Sequence, residues 1–372
     1  MLPYREKSNP IKQPAMNLRS LTATLLPYYR RYTPAFIKAL TPASAREKVA
    51  HKLYGNSFAL PDSLDPKTSK ELAKGVDALR AKDWPAVQNH WSNVLDALED
   101  NEAIAGQARL NISVAKRLVD PAQLKLDIIT YKQARSERRP DQPKIALYTA
   151  IVDHYDSIKL PEQLDPRIDY VLFTDTEIPG TGVWQVKPIP YHATDHTRTA
   201  RYIKTHPHTL LPGYDLAVWL DANIMILGDI YQIIESFLKS EKLLAAIRHP
   251  ARASLNDEFE ACKNLNKETP EILEKQIEQY KAQSHLQEIV IESGFMMFNL
   301  TSEKTTKFLN YWWEQIEHYS KRDQLSFGYA LLKAGLSFHA LPLTSIRNHP
   351  DFAFLPHDLG KSPANLLTNH IK

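Results

Sequence analysis

An α/β domain with a mostly parallel sheet, standing behind a small helical region, is the fold class this sequence predicts. Three observations carry the prediction. From Lys144 onward, short apolar runs alternate with stretches of helical spacing, and strands alternating with helices argue parallel order. Residues 68–120 instead repeat apolar residues at helical intervals. Finally, 372 residues, 43% hydrophobic and 24% charged, suffice for one large globular domain plus an appendage.

Composition also excludes. A formal net charge of +3 is nearly neutral at this length and gives no case for nucleic acid as a partner. Cys262 is the sole cysteine, so no disulfide closes within the chain and a reducing, cytoplasmic setting is expected. It stands in the charged run Glu258–Lys263 and reads as structural. No run approaches the roughly 20 apolar residues of a membrane span, and Met1–Pro10 has neither the apolar core nor the cleavage site of a secretory signal.

Residues 1–66 read as a basic arm. Over 1–60, ten Lys and Arg stand against Glu6 and Glu47, interleaved with Tyr28, Tyr29, Tyr32 and Phe36. Such an arm suits peripheral contact with an anionic membrane, at the inner face of a bilayer; a flexible leader packed on the domains behind it is the alternative. Residues 67–130 read as helices. Leu72, Val76 and Leu79 mark the first, and Asp83-Trp84-Pro85 restarts a second with Val87, Trp91, Val94 and Leu95 inward. Ala105, Ala108, Ile112, Ala115 and Leu118 mark a third. The pair resembles one tetratricopeptide-type hairpin, which cannot bury its apolar face alone and so packs on its neighbour. The charged stretch 131–143, ending in two prolines, reads as a linker. The α/β domain occupies 144–357, and 358–372 form a tail.

Within that domain the strand-like runs are Ile145–Ile151, Tyr170–Thr174, Val183–Ile189, Ala217–Leu220, Leu243–Ile247 and Ile289–Ile291 leading into Phe295–Leu300. In such sheets ligands bind beyond the carboxyl ends of the strands, so chemistry belongs just after each run. Thr149 and Ala150 end the first run with small side chains that admit a flat base, and Asp153 follows. The second run delivers Asp175, a hydroxyl acceptor or a helix cap. The run Tyr214–Leu220 ends in Asp221-Ala222-Asn223. Residues two apart on an extended segment point the same way, so a carboxylate and an amide oxygen can share a hard cation, Mn²⁺ or Mg²⁺, with phosphate oxygens; a strand followed by an Asx turn is the plainer alternative. Arg198, Arg201 and Lys204 recur at helical spacing and can meet a diphosphate or the acid of the next strand. His192, His196, His206 and His208 are candidates for zinc or simply loop histidines. Glu292-Ser293-Gly294 stands at a strand break or bulge, where Gly294 admits a sugar and Glu292 can bond hydroxyls or act as a base. Arg322-Asp323-Gln324 opens a helix, with Asp323 a cap or an acceptor contact. His349, in Arg347-Asn348-His349-Pro350, is a candidate third metal ligand.

Together, Trp219-Leu220-Asp221-Ala222-Asn223, His196-Thr197-Arg198 with Arg201 and Lys204, Glu292-Ser293-Gly294 and Arg322-Asp323-Gln324 resemble the glycosyltransferase-like family known as domain of unknown function 616. More distantly they are similar to glycogenin-like GT-A transferases. The resemblance covers Lys144 to His357. It implies a GT-A-like mixed, mostly parallel sheet flanked by helices, binding a nucleotide-diphosphate sugar with Mn²⁺ or Mg²⁺ at an Asp-x-Asp-type motif whose second acid is here Asn223. It implies transfer to a glycan or lipid-linked acceptor, as in surface polysaccharide synthesis. Asp221, Asn223 and His349 would hold the metal. Thr149, Ala150, Asp153, Asp175, Arg198, Arg201, Lys204, Asp221, Ser293, Gly294 and Gln324 would hold the donor. Glu292 and Asp323 would serve catalysis. The alternatives are a catalytically inactive nucleotide-sugar or glycan-binding module and a metal-dependent hydrolase built on the histidines.

Overall fold

The apolar runs become one seven-stranded sheet with a two-stranded ribbon beside it. The computed structural model describes residues 65–98, 102–178, 180–280, 289–347, 349–355, 357 and 367. The basic arm up to residue 64, and the tail apart from Leu367, lie outside the described residues.

Four helices come first: α1 (Pro66–Ala81), α2 (Trp84–Ala97), α3 (Glu102–Val119) and α4 (Pro121–Ser136). Three share one starting device. Asp65, Asp83 and Asp120 each accept a backbone N–H of the first turn, and a proline occupies the first or second helical position, where its missing N–H costs nothing. α1, α2 and one face of α3 close a small core around Val87, Trp91 and Val94.

The expected linker over 131–143 needs correction, because α4 runs on to Ser136. Two of its charges, Arg135 and Arg138, are paired on Asp169. Arg135 grips Asp169 with Nε at 2.6 Å and Nη2 at 3.0 Å, and Arg138 Nη2 adds a contact at 2.8 Å. The buried Tyr131 hydroxyl donates to the Ile168 carbonyl at 2.8 Å. A charged composition signals a linker only when the charges have no partner.

The sheet order is β3-β2-β1-β4-β7-β6-β8, from β1 (Ile145–Ile151), β2 (Ile168–Thr174), β3 (Gln185–Pro188), β4 (Leu216–Leu220), β6 (Leu244–Arg248), β7 (Ile291–Asn299) and β8 (His339–Ala340). The first four strands are mutually parallel, β7 runs antiparallel to β4 and β6, and β8 is parallel to β6. The sheet is therefore mixed and mostly parallel, as expected. β5 (Ile224–Ile226) pairs antiparallel with β9 (Phe352–Phe354) in the ribbon.

Alternation divides each buried strand between two cores. Leu147, Leu172 and Val218 point into one, which α3 and α4 also enter through Leu110, Val114, Leu118, Leu124 and Ile128. Tyr148, Phe173 and Trp219 point into the other, covered by α5 (His196–Thr205), α10 (Glu303–His318) and α11 (Asp323–Ala334). The remaining helices are α6 (Pro207–Leu210), α7 (Tyr231–Leu238), α8 (Leu255–Asn264) and α9 (Pro270–Tyr280). The helical region thus walls one core of the sheet. At the contact, a side chain on Gly106 would put its Cβ 2.0 Å from the Phe354 carbonyl oxygen.

Of the break and the bulge expected around Gly294, the strand shows the bulge: β7 is continuous, and its register against β6 shifts between Ala246 and Ile247.

Candidate functional site

Because β7 enters antiparallel, its amino end lies against the carboxyl end of β4. The Asp221 N–H donates to the Gly294 carbonyl at 2.9 Å. On the other side, Tyr148 registers with Trp219, so Thr149 and Ala150 continue beside Leu220 and Asp221. One strand further out, Asp175 accepts from the Asp153 N–H at 2.9 Å, and His196, at the start of α5, lies 3.5 Å from Asp153. Thr149, Ala150, Asp153, Asp175, Asp221, Ser293 and Gly294 are thereby gathered on one edge. Asp153 itself sits at φ +50, the left-handed region that Asp tolerates better than most side chains.

Asp221 is the carboxylate at the centre of this edge, and its side chain is 29% exposed. Its Oδ1 accepts from Trp219 Nε1 at 2.7 Å and lies 3.8 Å from Arg201 Nη1. A Cβ on Gly294 would stand 3.1 Å from Ile224 Cδ1 and 3.5 Å from Asp221 Oδ2, so this glycine lets β7 pass close to the carboxylate. Thr149 is buried, and its hydroxyl has no hydrogen-bond partner among the described residues, so it lies beneath the edge rather than on its surface.

The three cations expected on the diphosphate separate. Only Arg201 reaches the edge. Lys204 is fully buried, with Nζ 2.5 Å from Asp323 Oδ2 and 2.5 Å from the Ser293 carbonyl oxygen. Arg198 holds the end of α10, through Nε to the Ile316 carbonyl at 3.2 Å and Nη2 to that of Tyr319 at 2.6 Å. Helical spacing placed them on one face, but that face turns inward at Lys204 and is only partly exposed at Arg198 and Arg201.

The two residues expected in catalysis are anchors here. Asp323 is 0% exposed, so no acceptor reaches it. Burial alone would raise its carboxyl, but Arg201, Lys204 and Arg322 outweigh this and hold it well below the usual carboxylate range. Glu292 is nearly buried. It accepts from the Ile346 N–H at 3.0 Å, Ser345 Oγ at 3.2 Å and Arg347 Nε at 3.2 Å, which ties the 345–347 segment to β7, and burial raises its carboxyl. Gln324 donates to the Ile291 carbonyl at 2.7 Å and accepts from Arg322 at 2.6 Å.

The expected metal set is not assembled either. Asn223 is buried, and its Nδ2 donates to the Leu355 carbonyl at 2.6 Å. His349 contacts Asp351 at 3.7 Å. Asp351 pairs with Leu227, whose N–H it accepts at 2.7 Å, roughly 13 Å along the ribbon from Asn223 by strand rise. Among the described residues no group of three His, Cys, Asp or Glu is placed to hold a metal ion, which also counts against the hydrolase reading. His206 stacks on Tyr202 at 3.8 Å and its imidazole is pushed down to about 4, chiefly by burial. The chemistry offered to a cation is one partly exposed carboxylate. That suits Mg²⁺ or Mn²⁺ arriving with phosphate oxygens rather than a preformed cage.

Two surface clefts of about 290 and 380 Å³ open near Trp184 and Arg167, at the amino ends of β3 and β2. Ligands of α/β sheets bind at the opposite edge.

Residues 173–341 match the family model of the TOD1/MUCI70 glycosyltransferase-like domain. That span includes Asp175, Asp221, Gly294 and Asp323 and leaves out Thr149, Ala150, Asp153 and His349. A curated relative, the probable hexosyltransferase MUCI70 of Arabidopsis thaliana, is 24% identical over 230 residues, covering 54% of this chain and 38% of the relative. The chain therefore spans well under half the length of that relative. Similar solved structures include the bifunctional glycosyltransferase WbbM, at 12% identity and TM-score 0.36, covering 55% of this chain and 40% of that one. The galactosyltransferase LgtC with donor and acceptor sugar analogues gives 12% and 0.34, covering 61% and 95%. Mouse xyloside xylosyltransferase 1 gives 11% and 0.33, covering 54% and 84%.

Proposed function

We propose that this chain, which carries a glycosyltransferase-like domain, moves a hexose from a nucleotide-diphosphate donor to a glycan or lipid-linked acceptor. One observation carries the reading: the Arg201–Asp221 pair, 3.8 Å apart, stands beside side-chain-free Gly294 at the carboxyl edge of a mostly parallel sheet. Ala150, Asp153 and Asp175 offer the nucleoside a surface of small and hydroxyl-accepting groups on the neighbouring strands. Arg201 offsets the negative charge that grows on the leaving diphosphate, a contribution that is largest where a cation is fixed before reaction. Trp219 orients Asp221 through the 2.7 Å indole hydrogen bond. A divalent ion would be held by Asp221 together with the donor's own phosphate oxygens, and would supply Lewis-acid stabilisation of the same charge.

The test is a thermal-shift series with UDP, GDP and ADP, each alone, with Mn²⁺ and with chelator. A ligand of the folded state raises the melting temperature by mass action. One nucleotide should raise it, Mn²⁺ alone should not, and the two together should exceed the nucleotide alone. Asp221→Asn keeps an oxygen for the Trp219 N–H and should remove the metal-dependent part while leaving the unliganded melting temperature within a few degrees. No shift with any nucleotide would sink the transferase reading.

A further inference from the structure

A second polar constellation lies at the same edge, where β6 ends and β7 begins. Arg252 Nη1 is 2.7 Å from Glu258 Oε2, Arg322 Nη2 is 3.7 Å from Glu258 Oε1, and Arg347 Nε is 3.2 Å from Glu292 Oε1. Three guanidinium groups thus share two carboxylates. The arrangement is layered. The arginine side chains are 24%, 25% and 30% exposed, whereas the two glutamates beneath them are 1% and 8% exposed. Guanidinium groups face solvent over buried carboxylates, with Asp323 a third acid beside Arg322.

His249 adds a mismatch. Its Nδ1 faces the Ala251 N–H at 3.1 Å and its Nε2 faces Arg252 Nη1 at 2.7 Å. A neutral imidazole has one acceptor nitrogen, and a guanidinium only donates, so one of these contacts sets donor against donor in either tautomer. Protonation would make both contacts donor to donor, and burial with the charges of Arg252, Arg347 and Arg322 pushes the ring down to about 4. Among the described residues the Arg322 Nε–H likewise finds no hydrogen-bonding oxygen, though the Arg322 side chain also meets the Cys262 thiol. What is missing at His249 is an acceptor.

We propose that Arg252, Arg322, Arg347 and His249 form a subsite for an oxyanion carried by the acceptor sugar. An oxyanion there accepts from the outward guanidinium N–H groups and from His249, which ends the donor–donor contact, and planar guanidinium groups suit carboxylate and phosphate geometry. The order β4-β7-β6 puts the subsite two strand spacings from Asp221, or about 10 Å, so an acidic group on the acceptor can be read while a neighbouring hydroxyl receives the hexose. The proposal rests on the transferase reading for the word acceptor; the anion site itself does not depend on it.

Saturation-transfer NMR titrations of the full chain with glucuronate, glucose 6-phosphate and glucose separate the possible sources. At least one anionic sugar should bind tenfold or more tighter than glucose, with glucuronate alone indicating a uronate acceptor and glucose 6-phosphate alone a phosphorylated one. Arg252→Gln and, independently, Arg347→Gln should each weaken that binding about tenfold, the effect of one lost charge-assisted hydrogen bond. The nucleotide-induced thermal shift should be unchanged in both variants. Equal binding of all three sugars, binding of none, or variants that bind like the parent chain would overturn the subsite. A parent chain that binds glucuronate but no nucleotide would overturn the transferase reading alone.

Discussion

Lys204→Met tests the buried centre of the edge. In the parent chain Lys204 Nζ lies 2.5 Å from both Asp323 Oδ2 and the Ser293 carbonyl oxygen, and both side chains are 0% exposed. Removing one partner of a buried ion pair costs about 3–5 kcal/mol, because the other charge stays behind uncompensated. Arg201 Nε, 3.4 Å from Asp323 Oδ2, remains as a second cation, so the lower end, about 3 kcal/mol at pH 7, is the expected loss. With a urea slope of about 3 kcal/mol per molar, the unfolding midpoint falls by about 1 M. The loss also depends on pH. Asp323 is held below its ordinary range, so it contributes stability above its unfolded value of about 3.9 and gives it up only as pH falls through the folded value. Without Lys204 the carboxyl protonates at higher pH, which relieves the variant while the parent is still unaffected. The difference between the two proteins should therefore shrink as urea titrations move from pH 7 toward pH 4. A loss below about 1 kcal/mol, or a difference that grows with acid, would refute the reasoning.

Three further substitutions probe other contacts. Asn223→Asp, which restores the second acid of an Asp-x-Asp motif, removes the N–H donated to the Leu355 carbonyl and turns a carboxylate toward that oxygen; it should cost about 1–3 kcal/mol in urea titrations without giving Mn²⁺ alone a thermal shift. Gly106→Ala drives a methyl into the Phe354 carbonyl and should lower stability by about 1–3 kcal/mol, measured the same way, with residues near the α3–β9 contact losing hydrogen-exchange protection first. Tyr131→Phe deletes the hydrogen bond to the Ile168 carbonyl and should cost about 1 kcal/mol.

The strands were legible because burial on both faces writes itself as uninterrupted apolar runs, and Asp221 because a polar residue after such a run marks the sheet's edge. What failed to be legible was partnership. Lys204 and Asp323 are 119 residues apart, and nothing in either neighbourhood announces the other. Spacing put Lys204 on a face with Arg201 but could not say that the face turns inward. Arg135 and Arg138 looked solvated because Asp169, their partner, sits in an apolar strand. Arg252, Arg322 and Arg347 come from three separate segments. Arg322 and Arg347 stand within recognisable motifs, yet only the folded register brings them round His249.

The shared wall between the front helices and the sheet has a practical consequence. Leu110, Val114, Leu118, Leu124 and Ile128 belong to the same core as Leu147, Leu172 and Val218, so the two parts are one folding unit. Excising residues 65–143 would not release a free-standing α/β fragment. It would strip the cover from an apolar sheet face and yield a sticky, aggregating polypeptide, whereas the same cut through a true linker would leave both pieces soluble.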